Sequence, residues 1–329
     1  VKNGMTGEDR IKFRDLFLKT EKMKAVLKVQ HELISRIIRD FLREEGFVEI
    51  QAPVIGPVTD PGIRGAKQVS FDYYGQEYKI MSSMILYKQI AVGSLDKIYA
   101  FSPNIRLEPL EAADTKRHLA EFYQVDLEAA YWDYKKAMAL GERLLKKVCL
   151  EVTRTCSEEL FILERDLKIP KIPFEKFTYE EIIEEARKLD FRTDEFGELS
   201  WKAEEALSRK FGEPFWILDY PVGTRGFYYL EDPERKGILK SMDLIYSEGY
   251  GEAISGGERE YKYSRVKMLL EKSGEKLGAY KNYLEILKRG IPPSAGFGIG
   301  VERLTKFICG LEEISESTPF PKLPGFAYC

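Results

Sequence analysis

The chain is poor in histidine. His31 and His118 are the two it has among 329 residues, which excludes a histidine-rich metal centre. Cysteine is nearly as scarce. Cys149, Cys156, Cys309 and Cys329 are scattered without a C-x-x-C pair, which fits reduced thiols in a cytoplasm, not a disulfide frame or a zinc site. No run of eighteen apolar residues occurs, so no membrane span is expected. The N-terminus is charged and polar and lacks the apolar stretch of a secretory signal. A basic excess is lacking too. The formal net charge is −3, whereas proteins that live on phosphate backbones usually carry surplus lysine and arginine. Neither G-x-x-x-x-G-K-[ST] nor G-x-G-x-x-G appears, so the P-loop and Rossmann solutions to phosphate binding are excluded.

What is present is enough for a large core, since 44% of residues are hydrophobic. Val26, Leu27, Leu33, Ile34, Ile37, Ile38, Phe41 and Leu42 recur at helical spacing over 24–45, and Gly46 supplies a stop. FVEI then reads as a short strand ended by Pro53. Residues 56–68 are rich in glycine and proline and read as loop. A helix is expected over 82–93, a strand over KIYAFSPNIRLE, and a long helix over 134–152. The stretch from 157 to 215 reads as a small helical insertion, with a capping box at Thr178 and Glu181. FWILDY, FYYL, MDLIY and GEAIS look strand-like, and SAGFGIGVERLTKFICGL reads as a glycine-spaced strand feeding a helix.

The most informative stretch is RHLAEFYQVDLE, 117–128. As one strand, it sends Leu119, Tyr123, Val125 and Leu127 to a core and His118, Ala120, Phe122, Gln124, Asp126 and Glu128 to the opposite face. The preceding NIRLE puts Arg106 and Glu108 on one face, and residues 109–116 can close an antiparallel hairpin. Alternation alone would also suit a half-exposed hairpin with a charged outer face. A ring beside an arginine is nevertheless what a nucleotide requires. The ring stacks on the base, worth ~1–3 kcal/mol, and the guanidinium grips phosphate oxygens in a fork.

Two further constellations agree. GYGEAISGGERE crowds glycines and glutamates around Ser255 and Arg259, where Glu252 and Ser255 could share a hard cation. In GFGIGVERL, Gly296, Gly298 and Gly300 alternate on a strand and leave one face without side chains, and Arg303 follows on a helix.

These residues resemble the three motifs of class II aminoacyl-tRNA synthetases, in the aspartyl/asparaginyl subgroup. The first is the helix and strand ending at Pro53, the second IRLE with RHLAEFYQVDLE, the third GFGIGVERL followed by PFPK. The likeness runs from about residue 24 to the end. It implies an α+β fold with a six- or seven-stranded antiparallel sheet flanked by helices, and a homodimer through the first motif. It also implies roles. Arg106 holds the α-phosphate of ATP, Phe122 stacks on adenine and Glu108 meets the adenine amino group. His118 and Arg303 meet the β- and γ-phosphates. Glu252 and Ser255 match Mg²⁺ ligands, and Asp243 does so more loosely because its spacing to Glu252 is long. Asp126 receives the amino acid's ammonium group, with Ser83 and Gln124 beside it. Lys88 and Arg259 clamp a side-chain carboxylate, which favours aspartate. Ile85 departs from the glutamine usual in aspartyl enzymes.

Only 23 residues precede the first motif helix, too few for the five-stranded anticodon-binding barrel of the subgroup. The expectation is a single catalytic domain over 1–329 that uses no tRNA. SSMILYKQ, SPNIRLE, YGEAISGGERE and PSAGFGIGVERL resemble the archaeal asparagine synthetase related to asparaginyl-tRNA synthetase. That likeness implies aspartate, ATP and ammonia as substrates and asparagine, AMP and pyrophosphate as products. A tRNA-charging enzyme without its anticodon domain and a non-catalytic nucleotide-binding paralogue stay open, as does which carboxylate of aspartate is activated.

Overall fold

The computed structural model describes residues 7–61, 66–193 and 199–327. The strands, in chain order, are β1 (Val48–Glu49), β2 (Ile55–Gly56), β3 (Ser70–Tyr73), β4 (Gln76–Ile80), β5 (Lys97–Ile105), β6 (Glu121–Ala130), β7 (Glu175–Thr178), β8 (Phe215–Leu218), β9 (Ser241–Tyr246), β10 (Gly251–Glu258) and β11 (Ser294–Gly300), followed by the short antiparallel pair β12 (Lys322–Leu323) and β13 (Phe326–Ala327). Eight of them form one sheet in the order β1-β5-β6-β11-β10-β9-β8-β7, and β2-β4-β3 form a small second sheet. The edge pairs β1–β5 and β7–β8 are parallel, and the pairs between them are antiparallel. Against the expected six or seven antiparallel strands, the short β1 and β7 each add a parallel pair at an edge and bring the count to eight. The segment 157–215 carries β7 as well as its helices, Tyr179–Arg187 and Trp201–Phe211, and the capping box at Thr178 is in place.

Three boundaries differ from the sequence reading, each for a local reason. The first motif helix starts at Glu21, because the Thr20 hydroxyl accepts from the Met23 amide. It passes through a π turn at Leu33–Ile37 and ends at Glu44, before Gly46 in the left-handed region. The helix expected at 82 begins at Ile85, because the backbone amides of Ser82 and Ser83 donate to the Thr59 hydroxyl. The strand expected from 117 begins at Glu121. A 3₁₀ turn at Leu110–Thr115 and a left-handed Lys116 redirect the chain, and the Ala120 amide bonds to Lys322 O at 2.7 Å. Tyr123, placed in the core by alternation, is 45% exposed. FYYL is not a strand; Tyr229 makes only an isolated bridge to Arg259.

One face of the sheet is apolar. Val125, Leu127, Phe297, Ile299, Ile254, Leu244 and Trp216 pack against the long helix Tyr134–Thr155 and the helix Val301–Cys309. Each large side chain so buried contributes roughly 1.5–3 kcal/mol. Cys149, Cys156 and Cys309 are free and buried there, and Cys329 lies outside the described residues. No helix among the described residues is long and apolar enough to cross a membrane. Gly256 shares this apolar face, two positions after Ile254 and paired with Phe297. A methyl group on Gly256 would sit 2.3 Å from Gly296 O, so β10 and β11 approach too closely for any side chain there.

Gly256→Ala is therefore expected to cost about 1–3 kcal/mol by forcing those strands apart, read as a lowered urea midpoint. Gly278→Ala, where an added methyl meets nothing within 4 Å, is expected to stay within about 0.5 kcal/mol of the parent. Equal midpoints for the two variants would contradict the close approach.

Candidate active site

The polar face of the central strands floors a cavity of about 350 Å³. Ser83, Lys88, Arg106, Glu108, His118, Gln124, Asp126, Glu252, Ser255, Arg259 and Arg303 all line it, so the structure brings together eleven of the thirteen residues read from sequence. Phe122 walls an adjoining recess of about 90 Å³ with Gly298 and Gly300. Asp243 is the one that lies behind the wall.

At one end stands the arginine-and-ring platform. Arg106 follows β5 directly, and Phe122 lies on β6 opposite Asn104. The Arg106 guanidinium sits 5.0 Å from the Phe122 ring centroid, and its Nε donates to Ser82 O at 3.0 Å. The ring is half-buried, not the exposed platform of the sequence reading. Glu108 is half-buried beside it; burial raises its carboxyl pKa, and Arg106 and Arg303 pull against that rise.

His118 reaches the same cavity from a loop instead of the strand. Its Nδ1 lies 2.7 Å from the Thr115 hydroxyl. Burial, reinforced by Arg303 and Arg117, pushes its pKa down to about 3, so the imidazole is neutral at pH 7. Arg303, on the helix Val301–Cys309, donates to Glu252 at 3.0 Å and to Arg117 O at 3.4 Å. Arg117 is in turn paired at 2.9 Å with Glu204 of the helix Trp201–Phe211.

The other end is lined by buried ion pairs. Lys88, on the helix Ile85–Leu95, donates to Asp126 at 2.8 Å and to Phe297 O at 3.2 Å. The second oxygen of Asp126 accepts from Ser102 at 2.5 Å. Arg259 pairs with Glu128 at 3.1 Å and donates to Gly296 O at 2.8 Å. Lys88 and Arg259 therefore have carboxylate partners of their own before any substrate arrives. The Ser83 hydroxyl accepts from the Ile85 amide at 3.2 Å and so opens that helix, while Gln124 accepts from Asn104 at 3.1 Å. Ile85, the departure noted in the sequence, lies on the wall beside them.

Between the ends lie the oxygen donors read as magnesium ligands. Glu252 is held by Arg303, and Asp243 is ion-paired to Arg225. Burial pushes the Glu252 carboxyl up, but Arg303 and Arg225 outweigh it and hold the pKa below the usual range. Asp243 is held above its usual range by burial, which Arg225 only partly offsets. Asp243 Oδ1 is buried without a hydrogen-bond partner, and Ser255 faces Asp243 across the β9–β10 register. Among the described residues no three His, Cys, Asp or Glu side chains form a ready-made metal cluster. Two carboxylates and a hydroxyl are still the hard oxygen set that Mg²⁺ takes when phosphates and waters complete its shell, so the residues fit that ion.

Several wall residues escaped the sequence reading. Arg225 comes from the loop after β8. It stacks 3.8 Å from the Tyr220 ring centroid, and its Nε is buried without a partner, as is Nε of Arg117. Buried donors left open at a cavity wall mark where an anion would be held. Arg225 gave no pattern to find, because only tertiary folding brings its loop to β9. Arg117 did carry a signal, since it opens the stretch 117–128, and Glu128 is already placed on the cavity face by alternation. Asp60 and Tyr228 also line the cavity. In the loop 56–68, residues 62–65 lie outside the described residues, while Thr59 and Asp60 are bound to Ser82.

Comparisons with known proteins agree with this geometry. A family model described as tRNA synthetases class II (D, K and N) matches residues 6–324. The asparagine–tRNA ligase of Pelotomaculum thermopropionicum is 34% identical over 318 residues, covering 94% of this chain and 71% of its own. That of Symbiobacterium thermophilum is 33% identical over 320 residues, covering 94% and 72%. The asparaginyl-tRNA synthetase from Pyrococcus horikoshii, solved with asparaginyl-adenylate, is similar with a TM-score of 0.91 at 28% identity, covering 98% of this chain and 74% of that one. With its eight-stranded sheet and its glycine-floored cavity, this chain belongs to the class II tRNA synthetases of the D, K and N group.

Proposed function

We propose that this protein is an ATP-dependent ligase. It activates aspartate as an acyl-adenylate and transfers the acyl group to ammonia, releasing asparagine, AMP and pyrophosphate. The observation that carries the reading is one cavity that joins Arg106, Arg303 and the adjoining Phe122 recess to Lys88, Arg259 and Asp126. A nucleotide fits the first group and a dicarboxylic amino acid the second. The likeness of four sequence stretches to archaeal asparagine synthetases favours ammonia as acceptor.

In this reading adenine stacks on Phe122 in the adjoining recess, with its amino group toward Glu108. Arg106 grips the α-phosphate, and its bond to Ser82 O fixes its direction. Arg303, Arg117 and Arg225 hold the pyrophosphate end, where neutral His118 contributes a hydrogen bond, not a charge. Lys88 and Arg259 share their charge between Asp126 and Glu128 and a substrate carboxylate, while Asp126 takes the substrate's ammonium group. A carboxylate oxygen of aspartate then attacks the α-phosphorus in line, and pyrophosphate leaves toward Arg303. Asp243, Glu252 and Ser255 would hold Mg²⁺, which supplies neutralisation of the phosphate oxygens. The lid that shields the adenylate from water is assigned to the loop 56–68, of which residues 62–65 lie outside the described residues, and the enzyme is a homodimer built on the first motif and working in the cytoplasm.

A second reading stays in play because the relatives are named asparagine–tRNA ligases. There the acceptor is tRNA and the α-carboxylate is activated. Product analysis separates the two. Incubated with aspartate, ATP, Mg²⁺ and ammonium chloride, the protein is expected to yield free asparagine by mass spectrometry; aminoacylated tRNA in its place would overturn the ammonia assignment. Arg106→Ala is expected to lower aspartate-dependent ATP–pyrophosphate exchange by about 10²–10³-fold through lost electrostatic stabilisation. Exchange unchanged in that variant would point to a non-catalytic nucleotide site. Arg225→Ala is expected to weaken binding of a non-hydrolysable ATP analogue with Mg²⁺ by about tenfold, as for loss of one charged hydrogen bond, measured by calorimetry.

A further inference from the structure

Adenylate formation leaves pyrophosphate beside the bond it has just quit, where it can attack the adenylate and restore ATP. Removal of that anion is what commits the intermediate to the next step. Resting on the proposed activation of aspartate by ATP, a step common to both acceptors, we propose that a second cavity behind Arg117 receives the leaving pyrophosphate, with Lys306 as the cation that draws it there.

This second cavity has a volume of about 950 Å³, against about 350 Å³ for the catalytic one. Arg117 is a wall of it and also of the recess that adjoins the catalytic cavity. Gly251, at φ +74°, leaves room for that arginine, since a methyl group there would lie 2.5 Å from Arg117 Cζ. Lys306 lines the second cavity from the helix Val301–Cys309, three residues after Arg303. Side chains three apart on a helix are neighbours, about 5–6 Å between their Cβ atoms. Arg303 Nε donates to Arg117 O at 3.4 Å and Lys306 Nζ to Lys116 O at 3.2 Å, so the two cations of the helix hold consecutive carbonyls of one loop. Arg303, Arg117 and Lys306 thus form a row that leads from the phosphate end of the catalytic cavity into the second one.

The row has donors to spare. Lys306 is 9% exposed. Among the described residues its ammonium meets one oxygen, the Lys116 carbonyl, and no carboxylate; the Tyr250 ring centroid lies 5.8 Å away. Burial, then Arg117 and Arg303, push its pKa down to about 8, and Glu205 offsets only part of that. The ammonium is therefore still charged at pH 7, at a depth where a charge normally has a counter-ion. Arg117 Nε is likewise buried without an acceptor, although Glu204 takes the far end of the guanidinium at 2.9 Å. Two carboxylates of the wall are matched by other cations, Glu205 by Arg209 at 3.0 Å and Glu248 by Arg165 at 2.6 Å. Asp114 and Glu312 also line the cavity, and neither pairs with Lys306. Open charged donors at both the arginine and the lysine suit a small anion that carries several oxygens and a high charge, because charge-assisted bonds are the strong ones.

Aspartate-dependent ATP–pyrophosphate exchange tests this, because it returns a separate KM for each phosphate substrate. In Lys306→Gln the KM for pyrophosphate is expected to rise about tenfold, as for loss of one charged hydrogen bond, while the KM for ATP stays within about twofold. Lys306→Arg keeps the charge and is expected to restore the parent KM for pyrophosphate. Lys168→Ala, at an exposed residue of the same wall, is expected to raise that KM about threefold, as for an exposed charge, and carries the test if Lys306→Gln does not fold. A rise shared equally by ATP and pyrophosphate would mark a purely structural lysine, and an unchanged KM for pyrophosphate an unused cavity; either result overturns the proposal. A parent protein with no aspartate-dependent exchange would sink the activation step itself, and the pyrophosphate site with it.

Discussion

Charge buried on the cavity face of the sheet has to be matched, and that constraint organises the site. Four cation–carboxylate pairs lie along this face: Lys88 with Asp126, Arg259 with Glu128, Arg225 with Asp243 and Arg303 with Glu252. Lys88, Asp126, Glu128 and Arg259 are each no more than 3% exposed. An isolated charge at such depth would cost several kcal/mol. Paired charges are tolerable, and they leave a surface dense in directed donors and acceptors. Such a surface holds a polyanion and a zwitterion by exchanging partners instead of exposing bare charge. The cost of desolvation is met on folding, before substrate arrives.

The backbone makes that arrangement possible. Gly296, Gly298 and Gly300, which alternate along β11, keep the floor of the cavity low, and a methyl on Gly296 would sit 2.1 Å from Leu127 O. Large side chains go to the opposite face, where Phe297 and Ile299 fill the core against the long helix. One strand thus serves a packed interior and an open binding floor at once, through the period-two alternation of its side chains. The segment 157–215 takes part as well. Its helix Trp201–Phe211 supplies Glu204 to Arg117, which ties that segment to the Arg303 end of the cavity.

Much of this was legible in the chain itself. Arg106, Phe122, Gly298 and Arg303 sit in short stretches whose local period fixes which face each side chain takes, and the structure places them around one cavity and its recess. The path of residues 117–120 was not legible, because it depends on the Ala120 amide meeting Lys322, some two hundred positions away. Arg225, Asp60 and Tyr228 were missed for the same reason. They lie on loops without periodicity, and only long-range packing brings them to β9, Ser82 and the cavity wall. Asp243 was read from its spacing to Glu252, but spacing could not disclose that Arg225 would already hold it.

The central claim is that one cavity seats a nucleotide and aspartate end to end. A crystal structure of the protein with aspartate and a non-hydrolysable ATP analogue tests it most directly. The account predicts adenine on Phe122, phosphate oxygens within hydrogen-bond reach of Arg106 and Arg303, and an aspartate carboxylate at Lys88 and Arg259. Electron density for either ligand outside this cavity, or both arginines turned away from the phosphates, would contradict it.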